Sequence, residues 1–161
     1  MHLRLRAALA ILGVIAVMGS VALLNPHKAL ADDEVGIGRA YVTTVQDLSG
    51  NFASRGVLVL HADHTMSVTD SGQGGPTFFF SSQLGSWKHN STGGLVAKTI
   101  DFDYPPSADV ARLDYTIKFA QNGTQVTGTI TLTTFPLQAN PLDGGGTVVG
   151  NFTFTGQLIQ P

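Results

Sequence analysis

This 161-residue sequence contains no cysteine. Without a thiol the protein has no disulfide, no thiolate nucleophile and no cysteine-ligated metal site. Its stability must therefore come from a packed core, because no covalent crosslink is available.

Basic residues are scarce after residue 31. Residues 32–161 hold all 11 acidic residues but only six of the nine Lys and Arg residues, which gives them a formal net charge of −5. Nucleic acids require a basic protein surface, and so do anionic membranes. We therefore expect neither nucleic acid nor an anionic membrane surface as a partner.

Several common catalytic motifs are also missing. The sequence has no G-x-S-x-G elbow, no P-loop and no H-E-x-x-H motif. The glycine-rich segments 72–76 and 143–146 lack the strand–loop–helix context of a phosphate-binding loop, so they are predicted to be flexible loops. We expect no cofactor.

The single long hydrophobic run lies at the amino terminus. Residues 7–24 carry no charge, two arginines precede them, and Ala29-Leu30-Ala31 supplies the small residues of a signal peptidase site. We predict a helical signal peptide over residues 1–31, and hence a secreted or periplasmic protein with no stable membrane insertion after cleavage. The alternative is an uncleaved anchor, because 18 apolar residues could just span a bilayer.

The remaining chain is organised as one domain with a two-residue hydrophobic period. Residues 32–37 are predicted to be a flexible acidic lead, and residues 38–161 a single β domain. In "VARLDYTIKF" (residues 110–119) an apolar face alternates with a polar one, which is typical of a half-buried strand. The apolar face consists of Ala111, Leu113, Tyr115, Ile117 and Phe119.

Turn signals divide these alternating segments into about eight strands joined mostly in sequence order. Short sequential turns favour an antiparallel up-and-down β-barrel, with a two-sheet β-sandwich as the alternative. The predicted strands are residues 38–47, 54–61, 65–70, 77–89, 94–104, 110–120, 124–135 and 147–159.

Gly85-x-Trp87 resembles the G-x-W motif of the lipocalin, or calycin, superfamily, in which the tryptophan closes the base of the barrel. Together with "DFDYPP", "RLDYTIKF", "GTITLTTFPL" and "GNFTFTG", it makes residues 38–159 similar to small exported bacterial proteins of undefined role with calycin-like or allene-oxide-cyclase-like barrels. The resemblance implies a barrel. It carries over no catalytic residue, because the active-site motifs of those families do not occur in this sequence.

The first functional hypothesis is a barrel that holds a small apolar molecule in its lumen, or that serves only as a stable exported scaffold. Eight strands leave room for side chains and at most one small ligand. The predicted lining consists of Trp87, Phe78, Phe80, Tyr115, Phe119, Phe152 and Phe154.

The second hypothesis is a barrel enzyme of cyclase or isomerase type. In a 99–104/110–115 hairpin Asp101 and Asp103 would share a face with Arg112, forming a cross-strand Asp–Arg pair. Lys98 lies on the same face of its predicted strand as the apolar residues, so its side chain would point into the barrel. An inward lysine could act as a base. The catalytic candidates are Asp101, Asp103, Arg112, Lys98 and Tyr104; the alternative for the charged ones is a solvated outer face.

The third hypothesis is an extracellular interaction or inhibitor domain that uses its Thr-rich outer face. His61, Asp63 and His64 lie at one predicted turn and His89 near another. Two imidazoles on a hairpin turn need not converge, so no metal site is predicted. The sequence does not determine the oligomeric state.

Overall fold

The computed structural model describes residues 38–74 and 79–161, so the predicted signal peptide (residues 1–31) and acidic lead (residues 32–37) lie outside the described residues. A three-residue 3₁₀ turn, Gln121–Gly123, separates the sixth and seventh strands. No helix in these ranges is long and apolar enough to cross a bilayer. The strands are β1 (Arg39–Asp47), β2 (Phe52–Leu60), β3 (Thr65–Asp70), β4 (Gln83–His89), β5 (Leu95–Phe102), β6 (Asp109–Ala120), β7 (Gln125–Pro136) and β8 (Thr147–Leu158).

The eight strands form a closed antiparallel barrel. Each strand pairs with the next along the chain, and β8 pairs with β1 to close the sheet. The predicted up-and-down barrel is confirmed, and the sandwich is excluded because a closed sheet leaves no second layer. Loops β1–β2, β3–β4, β5–β6 and β7–β8 form one end, which we call the mouth. The opposite end, which we call the base, carries loops β2–β3, β4–β5 and β6–β7.

The largest difference from the predicted strands concerns residues 77–89. The strand begins only at Gln83, and Phe80 forms a single isolated bridge with Asp103. The side chain of Ser81 accepts the Phe102 backbone N–H at 3.0 Å, where a second strand residue would otherwise pair. This side-chain bond interrupts the ladder, so the segment lies beside the end of β5 without extending β4.

Alternation predicted the inward face of β6 correctly. On β6 the side chains of Leu113, Tyr115 and Ile117 are buried, while Arg112 and Asp114 lie on the outer side. Val126 and Ile130 of β7 are also buried in the shared core. Residues directly opposite each other in paired strands point to the same side of the sheet, so each strand supports its neighbour's orientation.

The predicted orientation of β5 is wrong. Leu95, Ala97, Thr99 and Asp101 are buried, and the face that carries Lys98 is the outer one. The reason is the register with β6, which places Ala97 opposite Tyr115, Lys98 opposite Asp114 and Asp101 opposite Ala111. The predicted Asp–Arg cross-strand pair is therefore also wrong, because Arg112 lies opposite Ile100 on the outer surface.

Large side chains fill the base of the barrel. The Tyr41 hydroxyl donates to the carbonyl of Gly123 at 2.9 Å, and the Trp87 indole N–H donates to the carbonyl of His61 at 3.1 Å. His64 stacks on the indole ring at 4.3 Å between centroids. The remaining fully buried side chains at this end are Leu60, Met66, Leu95, Ile117 and Val126.

Close backbone contact at Gly85 provides a test of this packing. A Cβ on Gly85 would collide with the backbone of Lys98 and Thr99 on β5, whereas a Cβ on Gly144, in the β7–β8 loop, would meet no atom within 4 Å. We expect Gly85→Ala to reduce the free energy of unfolding by about 1–3 kcal/mol through overpacking. Gly144→Ala, the matched control, should change it by less than about 0.5 kcal/mol. Urea unfolding of both variants measures this, and equal stability of the two would contradict the close β4–β5 approach.

Candidate ligand-binding site

A cavity of about 570 Å³ occupies the mouth half of the barrel. Ligand pockets commonly have volumes of about 300–1,000 Å³. The cavity reaches the mouth loops at Gly72, Pro106 and Ser107 and does not include the large side chains that fill the base. Its apolar wall includes Val45, Leu58, Val68, Ala111, Leu113, Ile130, Leu132, Val149, Phe152 and Phe154.

A polar cluster in the interior is formed by Gln83, Thr99 and Tyr115. The Tyr115 hydroxyl donates to Gln83 Oε1 at 2.6 Å, and the Thr99 hydroxyl donates to the same oxygen at 3.1 Å. Burial raises the pKa of Tyr115 well above its usual value, so this phenol stays protonated as a donor. Its ring packs edge-on against Phe154 at 6.2 Å. Gln83 thus orients the tyrosine that borders the cavity.

Four carboxyl groups line the same cavity: Asp70, Asp101, Asp103 and Asp109. They come from the end of β3, the end of β5, the β5–β6 loop and the start of β6. Asp70 accepts from the Ser54 hydroxyl and from the backbone N–H of Gly72, both at 2.7 Å. The side chains of Asp103 and Asp109 are hydrogen-bonded to each other. Two oxygens of this acidic rim, Oδ1 of Asp101 and Oδ1 of Asp109, are buried without a hydrogen-bond partner.

Asp101 is the most deeply placed of these carboxyls, with only 4% of its surface exposed. Burial, reinforced by the charges of Asp103, Asp109 and Asp70, raises the pKa of Asp101 to about 7. Burial and the hydrogen bond with Asp109 raise the pKa of Asp103 to about 6. Desolvation disfavours the charged form of a carboxyl, and neighbouring negative charges disfavour it further. Asp101 and Asp103 therefore retain their protons to a higher pH than an ordinary aspartate does.

The structure brings some of the predicted lining together and leaves some apart. Phe80, Tyr115, Phe152 and Phe154 line the cavity. Trp87 lies at the base, and Phe119 packs against the core outside the cavity lining. Phe78 lies outside the described residues.

The catalytic candidates also divide into two groups. Asp101, Asp103 and Tyr104 line the cavity, whereas Lys98 and Arg112 are on the outer surface. Lys98 forms an ion pair with Asp114 at 3.0 Å. Arg112 pairs with the same carboxylate at 2.9 Å and donates to the carbonyl of Pro141 at 2.8 Å, so it holds the β7–β8 loop against the barrel.

Sequence reasoning missed Asp70, Gln83 and Asp109 as cavity residues, and it missed Thr99 as the buried partner of Gln83. The alternating pattern indicated three of them. Gln83 lies on the same face of β4 as the buried Trp87, and Asp70 lies on the same face of β3 as the buried Val68. Asp109 likewise precedes Ala111 by two residues on the inward face of β6, whereas the orientation of Thr99 depends on the register between β5 and β6, which the sequence alone did not define.

The described histidines do not supply a metal site. His64 and His89 pack around Trp87 at the base, and the His61 ring lies 3.1 Å from the Ser67 hydroxyl. Over residues 38–74 and 79–161, no group of three or more His or acidic side chains has the geometry to hold a metal ion.

No protein-family model matches this chain, and neither a curated protein nor a solved structure matches it. The closed eight-stranded antiparallel barrel is compatible with a lipocalin-like architecture. The resemblance drawn from Gly85-x-Trp87 therefore extends to architecture, and assignment to a particular family has no support from a match.

The raised pKa of Asp101 predicts an unusual dependence of stability on pH. The folded state binds the Asp101 proton more tightly than the unfolded state, in which the pKa is 3.8. This contribution to stability is therefore present below about pH 4 and is lost as pH rises towards the folded pKa of about 7. Asp101→Asn removes the buried charge, so at pH 8 it should raise the free energy of unfolding by up to roughly 4 kcal/mol and at pH 4 change it little.

Asp63→Asn is the matched control for this measurement. Asp63 lies in the β2–β3 loop at the base, and hydrogen bonds from Thr65 hold its pKa below the usual value. Its replacement should not stabilise the protein at pH 8. Urea titrations at pH 4, 6 and 8 make the comparison, and an Asp101→Asn effect that is the same at all three values contradicts the buried charge.

Proposed function

We propose that this protein is exported by a signal peptide at residues 1–31 and that its barrel binds a small, largely apolar molecule. The cavity of about 570 Å³ is the observation that carries the binding proposal. In a barrel that served only as a scaffold, side chains would fill the interior, because an empty apolar cavity lowers the stability of the fold. The space is continuous with the mouth loops, which provides a ligand with a route of entry.

The apolar wall and the few polar groups together have the composition of a small-molecule site. Hydrophobic and aromatic side chains cover most of the wall, and Gln83 and Tyr115 supply oriented polar groups at one place in it. Such pockets commonly combine apolar contact area with a small number of polar groups that orient the ligand.

The enzyme hypothesis has weaker support than the binding hypothesis. Asp101 and Asp103 have raised pKa values, as an acid–base pair would require. However, no Lys, Arg or His among the described residues lines the cavity, so no charged donor is present there to stabilise a developing anion. Binding is therefore the function that the geometry supports best.

The binding proposal is tested by filling the cavity. Ala111 is buried on β6 and lines the cavity, whereas Ala120 at the end of the same strand is exposed. We expect the uncharged dye N-phenyl-1-naphthylamine to bind with enhanced fluorescence, and Ala111→Phe to weaken binding by about tenfold or more through steric exclusion. Ala120→Phe, which adds the same ring outside the cavity, should bind like the parent protein. The proposal would be contradicted if the dye did not bind, or if both variants bound it equally.

Export and ligand occupancy are tested together by native mass spectrometry of the protein purified from its source. We expect a chain mass corresponding to residues 32–161, as signal peptidase cleavage after Ala31 requires. We also expect an additional mass that is released when the protein is denatured. A chain that retains residues 1–31 would contradict cleavage, and a native mass equal to the denatured mass would argue against a retained ligand.

A further inference from the structure

The acidic rim of the cavity has no basic counterpart. Of the six Lys and Arg residues in the part of the chain that the structure describes, none lines the cavity, and neither does a histidine. The groups that face Asp101 are three other carboxyls, Asp70, Asp103 and Asp109, and the buried phenol of Tyr115. The potential inside the mouth half of the barrel is therefore negative, and low-dielectric walls strengthen it.

The environment of Asp101 gives a second, independent indication that a ligand binds in this cavity. Only 4% of the surface of Asp101 is exposed, the residue borders the cavity, and Oδ1 has no hydrogen-bond partner in the protein. An unpaired buried carboxyl destabilises a fold, and an apolar side chain at this position would avoid that penalty. A group that lowers stability in this way and points into a cavity is characteristic of a binding or catalytic site.

We propose that the ligand of this cavity carries a protonated amine on an otherwise apolar body, and that Asp101 accepts a charge-assisted hydrogen bond from that amine. This inference rests on the proposed binding function and specifies the class of ligand. The apolar wall formed by Leu113, Ile130 and Phe154 accommodates the body, while the acidic rim lies around the charged end.

A bare metal ion is a poorer occupant of the rim. The carboxyls do not converge in a metal-binding geometry within the described ranges. Two of them, Asp103 and Asp109, are hydrogen-bonded to each other, which requires a proton that metal ligation would displace. A protonated amine donates each N–H to a separate acceptor, so it does not require the carboxyls to converge on one point.

The test compares three naphthalene compounds of similar size but different charge: the cation 1-naphthylmethylamine, the neutral 1-naphthalenemethanol and the anion 1-naphthaleneacetate. At pH 8, where Asp101 and Asp103 are ionised, we expect the amine to bind about tenfold or more tightly than the alcohol by calorimetry. The acetate should bind most weakly because its charge meets the acidic rim. At pH 5, below both carboxyl pKa values, the preference for the amine should largely disappear while the affinity of the alcohol stays constant.

Two variants assign this preference to the proposed residue. Asp101→Asn should abolish most of the preference for the amine at pH 8 while binding of the alcohol is retained. Asp63→Asn removes the same charge at the base, outside the cavity, and should keep the preference. Thermal unfolding of each variant verifies that it is folded.

The outcomes separate this inference from the function on which it rests. If the amine and the alcohol bind equally and Ala111→Phe weakens both, the cavity binds ligands but the charge proposal is overturned. If Asp63→Asn and Asp101→Asn lose the preference to the same extent, general electrostatic attraction explains it and the role of Asp101 is overturned. If none of the three compounds binds, the binding function itself fails, and the inference fails with it.

Discussion

The backbone ladder between β1 and β8 is the contact on which the rest of the structure depends. It pairs seven residues of β1, Tyr41 to Asp47, with Leu158 to Phe152 and closes the sheet on itself. Because opposite residues in a ladder point to the same side, closure makes one inward set of side chains continuous around the barrel. Closure also removes the two free edges that a Thr-rich and Val-rich sheet would expose to aggregation. Both the packed base and the hollow mouth half follow from this enclosure.

The difference between the two halves comes from side-chain size at inward positions. Towards the base these positions carry Tyr41, Leu60, Met66 and Ile117, whose volumes fill the interior. Towards the mouth, Ala111 lies opposite Asp101, and these shorter side chains leave part of the interior unfilled beside Phe152 and Phe154. The outer charges contribute in another way, since Arg112 contacts the Phe135 ring and the β7–β8 loop and thereby holds one side of the mouth in position.

Asp101 connects stability to the proposed function. Its burial lowers the stability of the ligand-free fold above neutral pH, and a cationic group in the cavity would offset this penalty by supplying the missing partner. Such a group would also shift the carboxyl pKa back towards its usual value, so ligand binding and proton release would be linked. Stability lost at one residue in this way is common at sites where binding requires an unsatisfied polar group.

The sequence by itself predicted about eight strands paired in sequential order from its short turns, and it predicted the inward face of β6 because apolar and polar residues alternate along that strand. It could not orient β5, where Val96, Ile100 and Phe102 are as apolar as Leu95 and Ala97 on the other face. Only pairing with β6 decided that Asp101 faces the interior and Lys98 the solvent. Strand periodicity is a local property, whereas the register between strands and the convergence of Asp70, Gln83 and Asp109 on one cavity depend on the closed sheet as a whole.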